Sequence, residues 1–341
     1  VIMLIFSIFN LTAPSDPARI LSSFELGIVN EDVGPFPLIS TQAIKGISKS
    51  LPFRVTLLKN SETARDALLK GKVSSVITFP ENFSQLALSN KNLSIGVLNS
   101  QHLSIAETQM ASQLPSMIQM ALSTFVSNLR ASKLNNQSTN LGMLVNTNVE
   151  TMFKAKSLAS LPAPFVMSFT TWMASMVGAI LLFLGTRQMA FLNRAYLRTI
   201  VPIMTMGFAS FTLATVVTLT TLQWEVFFMA WLSVWLVSVC LTWLFLGVFE
   251  IIGLSALLII LPLVQYQSVL SGSVAPVSAA PDWLERIGTA VPFDAIGAAY
   301  RAIIFGSDAS LPYIWLLSAA LMGIVLSWGS AIFKGRMRRR W

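Results

Sequence analysis

The sequence contains little of what most enzymes and metalloproteins use. One cysteine, Cys240, lies in an apolar run, so no disulfide can form within the chain and a thiolate metal site would lack ligands. One histidine, His102, excludes every motif that needs two histidines, and its polar neighbours favour an exposed side chain. No convergent set of acid, base and nucleophile is visible. We therefore expect no catalytic residues, no metal site and no cofactor.

A phosphate-binding loop is also missing. The stretch "LLKGKVSS" contains a Gly-Lys pair, but it lacks the upstream glycine and the hydroxyl directly after Lys72 that such a loop needs. Any ATP hydrolysis linked to this chain would have to come from another polypeptide, so we expect the chain itself not to be an enzyme.

Charge is scarce as well. Of the 341 residues, 54% are hydrophobic and 11% are charged, and the mean hydropathy is +0.67. This balance lies outside the range of soluble domains and predicts a membrane protein. The formal net charge is +8, but residues 13–161 carry no dense basic cluster with interleaved aromatic residues. We therefore expect no nucleic-acid partner.

Long apolar runs fill the second half of the chain, and a transmembrane helix needs about 20 such residues. Five runs qualify: 163–184, 199–222, 226–247, 251–270 and 311–333. We interpret the break between the third and fourth runs, at Gly247, Glu250 and Gly253, as a tight hairpin. Residues 1–12 are interpreted as the outer part of a first span, with a signal-peptide remnant as the competing interpretation. The predicted fold is an α-helical polytopic membrane protein with about six spans.

Basic residues in the second half are concentrated in two blocks, the loop "GTRQMAFLNRAYLR" and the tail "KGRMRRRW". The positive-inside rule places both blocks on the cytoplasmic side, and with six spans both termini lie there too. Residues 13–161 and 272–310 then lie outside. We expect a multi-pass protein of the cell membrane, with residues 162–341 forming a five-span membrane domain.

Residues 13–161 predict an extracytoplasmic mixed α/β domain inserted after the first span. Strand-like runs at "FELGIVN", "FRVTLL", "VSSVITF" and "LSIGVLN" alternate with helical patterns at 39–49 and 61–70. From His102 to Lys156 the pattern indicates one or two long helices that return to the membrane.

The stretch "ELGIVNEDVGPFP" places three polar residues, Asn30, Glu31 and Asp32, after a short apolar run. Three adjacent residues of an extended chain point to alternating sides, whereas calcium takes about six to eight oxygens from a shaped loop. We therefore interpret the stretch as a turn at the end of the first strand, not as a cation site.

Three segments, in this order, resemble known membrane proteins. "SDPARILSSFELGIVNEDVG" and "LLKGKVSSVITFPENFSQ" are similar to segments of the YhgE/Pip family, and "SVLSGSVAPVSAAPDWLERIGTAVPFDAIGAAYRAIIFG" is similar to the series before the last span of ABC type-2 exporter membrane subunits. Ser273 stands where that series has a second glycine. The short outer domain resembles the shorter branch of the family, which includes multidrug-export-like proteins.

The resemblance implies a permease subunit of an ABC-type exporter that moves a hydrophobic or amphiphilic substrate, such as a drug, lipid or peptide, outward. A separate ATPase would supply the energy, and two copies, or one copy and a paralogue, would form the pathway among membrane lipids. The alternative, from a different class, is a non-transporting cell-surface receptor or secretion-assembly scaffold that acts through the outer domain.

Two groups of residues are candidates for these roles. The resemblance implies that the loop from Thr186 to Arg198 holds a short coupling helix that docks on the ATPase; the candidate residues are Arg187, Arg194, Tyr196 and Arg198. The other interpretation is that these arginines only fix the topology. Candidates for the substrate path are Glu250, Gln265, Tyr266 and Gln267.

The path candidates each have a simpler interpretation. We favour a solvated turn residue for Glu250, although an ionisable group deep in a membrane would suggest function. We favour hydrogen bonding between helices for the amides and the tyrosine. The prolines in 272–310 break apolar helical pieces, which predicts short re-entrant helices.

Overall fold

The computed structural model describes residues 17–33, 37–89, 91–133 and 144–338. The described residues divide into two compact units, one up to residue 154 and one from residue 155 onward. We name them the α/β unit and the helical unit. The predicted first span at 1–12 lies outside the described residues, as do the last arginines of the basic tail, Arg339 and Arg340.

The α/β unit alternates helices and strands through most of its length. Its elements are α1 (Pro17–Ser23), β1 (Glu25–Asn30), α2 (Pro37–Ser50), β2 (Arg54–Leu58), α3 (Ser61–Leu69), β3 (Ser75–Phe79), α4 (Phe83–Leu88), β4 (Leu93–Ser100), α5 (Ile105–Lys133) and β5 (Val145–Met152). The four predicted strands and the two predicted helices are all present.

The strands form one five-stranded sheet in the order β2-β1-β3-β4-β5. β1 is parallel to β2 and β3, β3 is antiparallel to β4, and β4 is parallel to β5. Side chains alternate across the sheet: Leu26 and Ile28 pack in the larger core with α2 and α5, whereas Val29 packs in a smaller core with α3. The sheet is therefore covered by helices on both faces.

Proline 115 lies inside α5, where it has no backbone N–H to donate to the carbonyl of Ala111. The side chain of Asn99 on β4 supplies that donor, with its Nδ2 2.9 Å from the Ala111 oxygen. Asn99 also accepts a hydrogen bond of 2.7 Å from Ser75 on β3. One buried amide thus joins the long helix to two strands.

Two expectations for this unit are wrong. Residues 145–152 form strand β5, not a returning helix, because they pair along the full length of β4 although their own sequence is largely polar. His102 is buried, not exposed: its ring lies 4.8 Å from that of Phe153, and its Nδ1 is hydrogen-bonded to the Ser100 hydroxyl. In both cases the polarity of the local sequence led to the wrong prediction, because contacts with other parts of the chain determine the strand and bury the histidine.

The helical unit contains α6 (Ala163–Gly185), α7 (Phe191–Thr221), α8 (Phe227–Ile252), α9 (Leu257–Leu270), α10 (Asp282–Ala290), α11 (Phe293–Phe305) and α12 (Tyr313–Arg338). Short 3₁₀ turns lie at Leu158–Ser160, Trp224–Val226, Gly253–Ala256 and Val277–Ala279. The apolar core centres on α8, which packs against α6, α7 and α12.

Among the described residues, four helical stretches are long and apolar enough to cross a membrane: Ala163–Gly185, Leu192–Thr221, Trp224–Leu270 and Tyr313–Ser330. A bent pair, Asp282–Gly288 and Phe293–Phe305, would make a fifth if it counts as one span; its two helices meet at 72°. These stretches overlap all five predicted spans, and the bent pair consists of short helices of the kind expected in 272–310.

The 47-residue stretch Trp224–Leu270 contains two helices that run in opposite directions. Phe249 of α8 stacks on Phe183 near the end of α6, whereas Gln267 of α9 is hydrogen-bonded to Ser168 near the start of α6. The chain reverses at Gly253, whose φ of +66° suits glycine. The predicted hairpin is therefore present, but Gly247 and Glu250 lie inside α8 and not in the turn.

The close contact between α8 and α12 explains why a glycine, Gly247, stands inside a helix. A Cβ on Gly247 would lie 2.8 Å from the Gly323 Cα, and one on Gly323 would lie 2.2 Å from the Trp243 carbonyl oxygen. The two glycines let the helix backbones approach, as small residues do between membrane helices.

Indole groups hold α7 against α8. Trp231, Trp235 and Trp243 donate to backbone carbonyls of α7 that lie four residues apart, at Gly207, Ile203 and Thr199, over 2.8 to 3.1 Å. Such bonds matter in an apolar helical unit because a polar group without a partner is costly there.

Candidate functional site

A fully buried ion pair lies where α7 begins and α8 ends. Arg198 stands two turns into α7 and Glu250 two residues before the end of α8, and the guanidinium contacts the carboxylate directly. Their side chains are 2% and 3% exposed. The structure thus brings together a residue that the sequence placed in the coupling loop and one that it placed in the substrate path.

Arg198 has further partners at the end of α6. Its Nε donates to the Thr186 hydroxyl over 2.7 Å, and its Nη2 donates to the Phe183 carbonyl over 2.9 Å. The guanidinium carbon also lies 5.0 Å from the centre of the Phe183 ring. The side chain therefore joins the first turns of α7 to the end of α6.

Glu250 continues the cluster to α12, because the Ser330 hydroxyl donates to its Oε2 over 3.1 Å. Four helices, α6, α7, α8 and α12, thus meet around one carboxylate and one guanidinium. Two charges leave water only at a large desolvation cost, which close pairing and added hydrogen bonds offset. The preferred interpretation of Glu250 as a solvated turn residue is therefore wrong.

The connection between α6 and α7, together with the first turns of α7, lies beside this cluster and is basic. Arg187 and Tyr196 are exposed, and so are the apolar side chains of Met189 and Leu192. Arg194 is half-buried. Of the four coupling candidates, Arg198 alone is buried, so it cannot touch a partner protein from its present position.

The expectation of a separate short helix in this loop is wrong. Residues 191–198 are the first turns of α7, which continues through Pro202 to Thr221. With 31 residues, α7 is about 46 Å long at a rise of about 1.5 Å per residue. That length exceeds the roughly 30 Å that a span needs to cross the hydrocarbon.

The remaining path candidates lie elsewhere. Gln265 and Gln267 are buried in α9, where the Gln267 amide donates to the Ser168 hydroxyl. The Tyr266 ring packs edge-on against Trp283, with ring centres 5.7 Å apart. Ser168 and Phe183 mark opposite ends of α6, about 22 Å apart along the helix. The structure therefore does not bring Glu250 together with the glutamines.

Two buried polar atoms of the helical unit have no hydrogen-bond partner among the described residues. One is Gln267 Oε1 and the other is Trp172 Nε1, and both side chains are almost fully buried. Gln267 thus uses its amide nitrogen between helices, as the simpler interpretation predicted, and leaves its oxygen unused.

The exporter-like series near the end of the chain forms a compact turn. Arg301 on α11 donates to the Ser271 carbonyl over 2.9 Å and lies 3.4 Å from Asp294. Gly272, the residue after Ser271, has a φ of +64°. Ser273 stands at the position of the second glycine in the similar exporter sequences, and its hydroxyl lies 3.5 Å from Arg301. The series therefore fixes the connection between α9 and α11.

The polar stretch after β1 also has a structural role. Asn30 donates to Ser40 on α2 over 3.2 Å, and Glu31 accepts from Ser61 on α3 over 2.5 Å. Asp32 accepts from the hydroxyl and the backbone N–H of Ser84, in the first turn of α4. Three consecutive side chains thus contact three different helices.

These contacts give each of the three side chains a partner within the α/β unit. Among the residues described, no group of three His, Cys, Asp or Glu side chains is placed to hold a metal ion.

Sequence reasoning missed the pairing of Arg198 with Glu250 because the two stand 52 positions apart. A usable signal was present, since a lone acid in a long apolar run must find a cation when its surroundings are dry. Arg198 and Lys334 are the bases next to the predicted spans at that end, followed by Arg187 and Arg194.

Comparisons with known proteins add little. No protein-family model matches the chain, and no curated protein does. Among solved structures, the chain is similar to a domain from Thermotoga maritima MSB8 that is described as part of an ABC type-2 transporter. The identity is 19%, the match covers 37% of this chain and 86% of that chain, and the TM-score is 0.27. At that score the likeness decides neither fold nor function.

Proposed function

We propose that the chain is a membrane permease subunit of an ABC-type exporter, energised by a separate ATPase. It would move a hydrophobic or amphiphilic substrate outward, as a homodimer or with a paralogue. The basic end of the helical unit would face the cytoplasm and the α/β unit would face outside.

The buried pair Arg198–Glu250 carries this proposal. It ties the exposed, arginine-bearing connection between α6 and α7 to the helices that would line a pathway. A force applied to that connection by an ATPase would reach α6, α8 and α12 through one rigid cluster. Charges retained inside apolar helices are costly, and their presence there marks functional positions.

The apolar character of the helices supports the substrate class. The charged pair Arg198–Glu250 is neutralised within the helical unit, and the polar side chains of α9 are two neutral amides, a tyrosine and a serine. Such a surface suits an apolar or amphiphilic molecule better than a small ion.

The test separates docking on the ATPase from folding. Arg187→Glu combined with Tyr196→Ala changes two exposed side chains and leaves the buried cluster intact, so the protein should insert normally. Arg54→Glu, an exposed arginine of β2, is the matched control. We expect a copurifying P-loop ATPase and ATP-dependent dye export with wild type and with the control, and loss of both in the double variant.

Equal copurification and export in the double variant would overturn the docking role of this surface. If wild type brings down no ATPase and exports nothing, the permease proposal fails. The receptor or scaffold alternative would then stand, since it needs only the α/β unit to bind.

A further inference from the structure

An open groove lies between two helices of the α/β unit, remote in sequence from the cluster described above. Its walls are α2 and the middle of α5, and its volume is about 620 Å³. Apolar side chains form most of the lining, among them Ala43, Ile47, Met117, Met120, Leu122 and Phe125.

Small residues on both helices leave room for the groove. Gly46 on α2 and Ala121 on α5 both line it, and a Cβ added to Gly46 would meet no atom within 4 Å. The floor is closed, since Ile47 and Leu122 are buried, whereas Met120 is 74% exposed at the mouth. An apolar concavity with a closed floor accommodates a small molecule, for which typical sites measure about 300–1,000 Å³.

Three polar residues line the groove: Ser116, Thr124 and Asn128. The hydroxyls of Ser116 and Thr124 donate to carbonyls of their own helix, over 2.7 and 2.9 Å. Arg130, farther along α5, is buried and donates to the carbonyls of Leu86, Ala87 and Lys91. The groove therefore offers mainly apolar contact, and methionines adapt their shape to different apolar partners.

The charges on the two helices that form the groove have one sign. Neither α2 nor the part of α5 after Glu107 contains an acidic residue, whereas Lys45 and Lys49 are exposed on α2, and Lys49 lies one turn after the lining residue Gly46. Basic side chains on wall helices that carry no acid favour an anionic group near the mouth of an apolar site. The combination is complementary to a molecule with an apolar tail and a negative head.

We propose that this groove binds a single-chain anionic amphiphile, such as a long-chain carboxylate, with its tail between α2 and α5 and its head near Lys45 and Lys49. The proposal does not depend on transport or on an ATPase. It assigns the α/β unit a ligand-binding role of its own.

The test uses the full-length chain in nanodiscs of phosphatidylcholine and a palmitate probe with a photoreactive diazirine on its tail. Mass spectrometry then locates the crosslinks. We expect them at Ile47, Met117 and Met120. Gly46→Leu fills the groove and improves helix propensity, so it should keep the fold; crosslinking should fall about tenfold, the scale on which extra carbon atoms in an apolar pocket discriminate.

Ser48→Leu is the matched control, because Ser48 is exposed on the same helix and does not line the groove. It should crosslink like wild type. Met120→Glu is a second variant that does not rely on filling the groove, because it places an acid at the exposed mouth. It too should lower the crosslinking yield.

The head group is tested with the matching fatty alcohol. Lys45→Gln combined with Lys49→Gln should weaken labelling by the carboxylate and leave labelling by the alcohol unchanged. Crosslinks confined to the helical unit, or full labelling of Gly46→Leu and Met120→Glu, would overturn the site. Equal loss for both probes in the lysine variant would overturn the choice of an anionic ligand.

Discussion

Opposite charges meet in both units of the molecule, and one pair of the helical unit, Arg198 with Glu250, differs from the exposed pairs of both units. In the α/β unit, Arg65 lies 2.6 Å from Glu150 and Lys70 lies 2.7 Å from Asp66, and all four side chains are more than half exposed. In the helical unit, Arg198 and Glu250 are almost fully buried. Exposed pairs contribute little because water and salt screen them, whereas a buried pair that loses one partner leaves a charge without water.

The largest effect should follow the breaking of the buried pair. Glu250→Ala leaves Arg198 charged in an apolar interior, and we expect a loss of about 3–5 kcal/mol in the free energy of unfolding. Thermal unfolding of the purified protein in detergent would show this as a large drop in Tm. The double variant Arg198→Met with Glu250→Leu removes both charges and should recover most of the loss. A double variant as unstable as Glu250→Ala would contradict this account.

The next effect concerns backbone packing at glycines, which is tight at some positions and open at others. In the helical unit, a Cβ on Gly323 would lie 2.2 Å from the Trp243 carbonyl oxygen, whereas Gly46 of α2 has open space. Gly323→Ala should destabilise the protein by about 1–3 kcal/mol, the range for overpacking. Gly329→Ala, in the same helix with nothing within 4 Å of the added carbon, should leave Tm unchanged or raise it. Equal Tm values for the two variants would count against this packing.

A smaller effect is expected at the turn after β1. Asp32 is buried and accepts two hydrogen bonds from Ser84 in the first turn of α4. Asp32→Ala should cost about 0.5–2 kcal/mol, as the loss of a helix cap does. The measurement is the shift in Tm together with hydrogen exchange of α4, which should become faster there than in α3. Unchanged exchange in α4 would show that the carboxylate does not hold this helix.

The smallest effect should come from the exposed pair between α3 and β5. Arg65→Ala removes the contact with Glu150, and because both side chains stay in water we expect less than about 1 kcal/mol. A double-mutant cycle with Glu150→Ala gives the coupling energy, and added salt should reduce it further. A coupling as large as that of Arg198 and Glu250 would remove the contrast between the exposed and the buried pair.

The fold was largely predictable from the sequence where local patterns decide it. Alternating apolar residues located β1 to β4, and apolar runs located the long helices, because these elements bury their own side chains. β5 could not be predicted in this way, since its residues are mostly polar and it is held by pairing with β4. Elements that depend on a distant partner leave a weak local pattern.

The candidate site was predicted only in its parts. Arg198 and Glu250 each stood out as charges near apolar runs, but their contact depends on the parallel packing of α6 and α8 and on the first turns of α7. The burial of Glu250 was mispredicted because Gly247 was taken as part of the turn. Gly247 in fact lets α8 approach α12 closely, and this becomes visible only when Gly247 and Gly323 are considered together.

The most direct test of the account is ATP-dependent export by inverted membrane vesicles, measured with an amphiphilic fluorescent dye. Three proteins are compared at equal amounts in the membrane: wild type, Arg187→Glu with Tyr196→Ala, and the control Arg54→Glu. The account predicts ATP-dependent dye movement with wild type and Arg54→Glu, and none with the double variant. Wild-type vesicles that move no more dye with ATP than without it would contradict the proposed function.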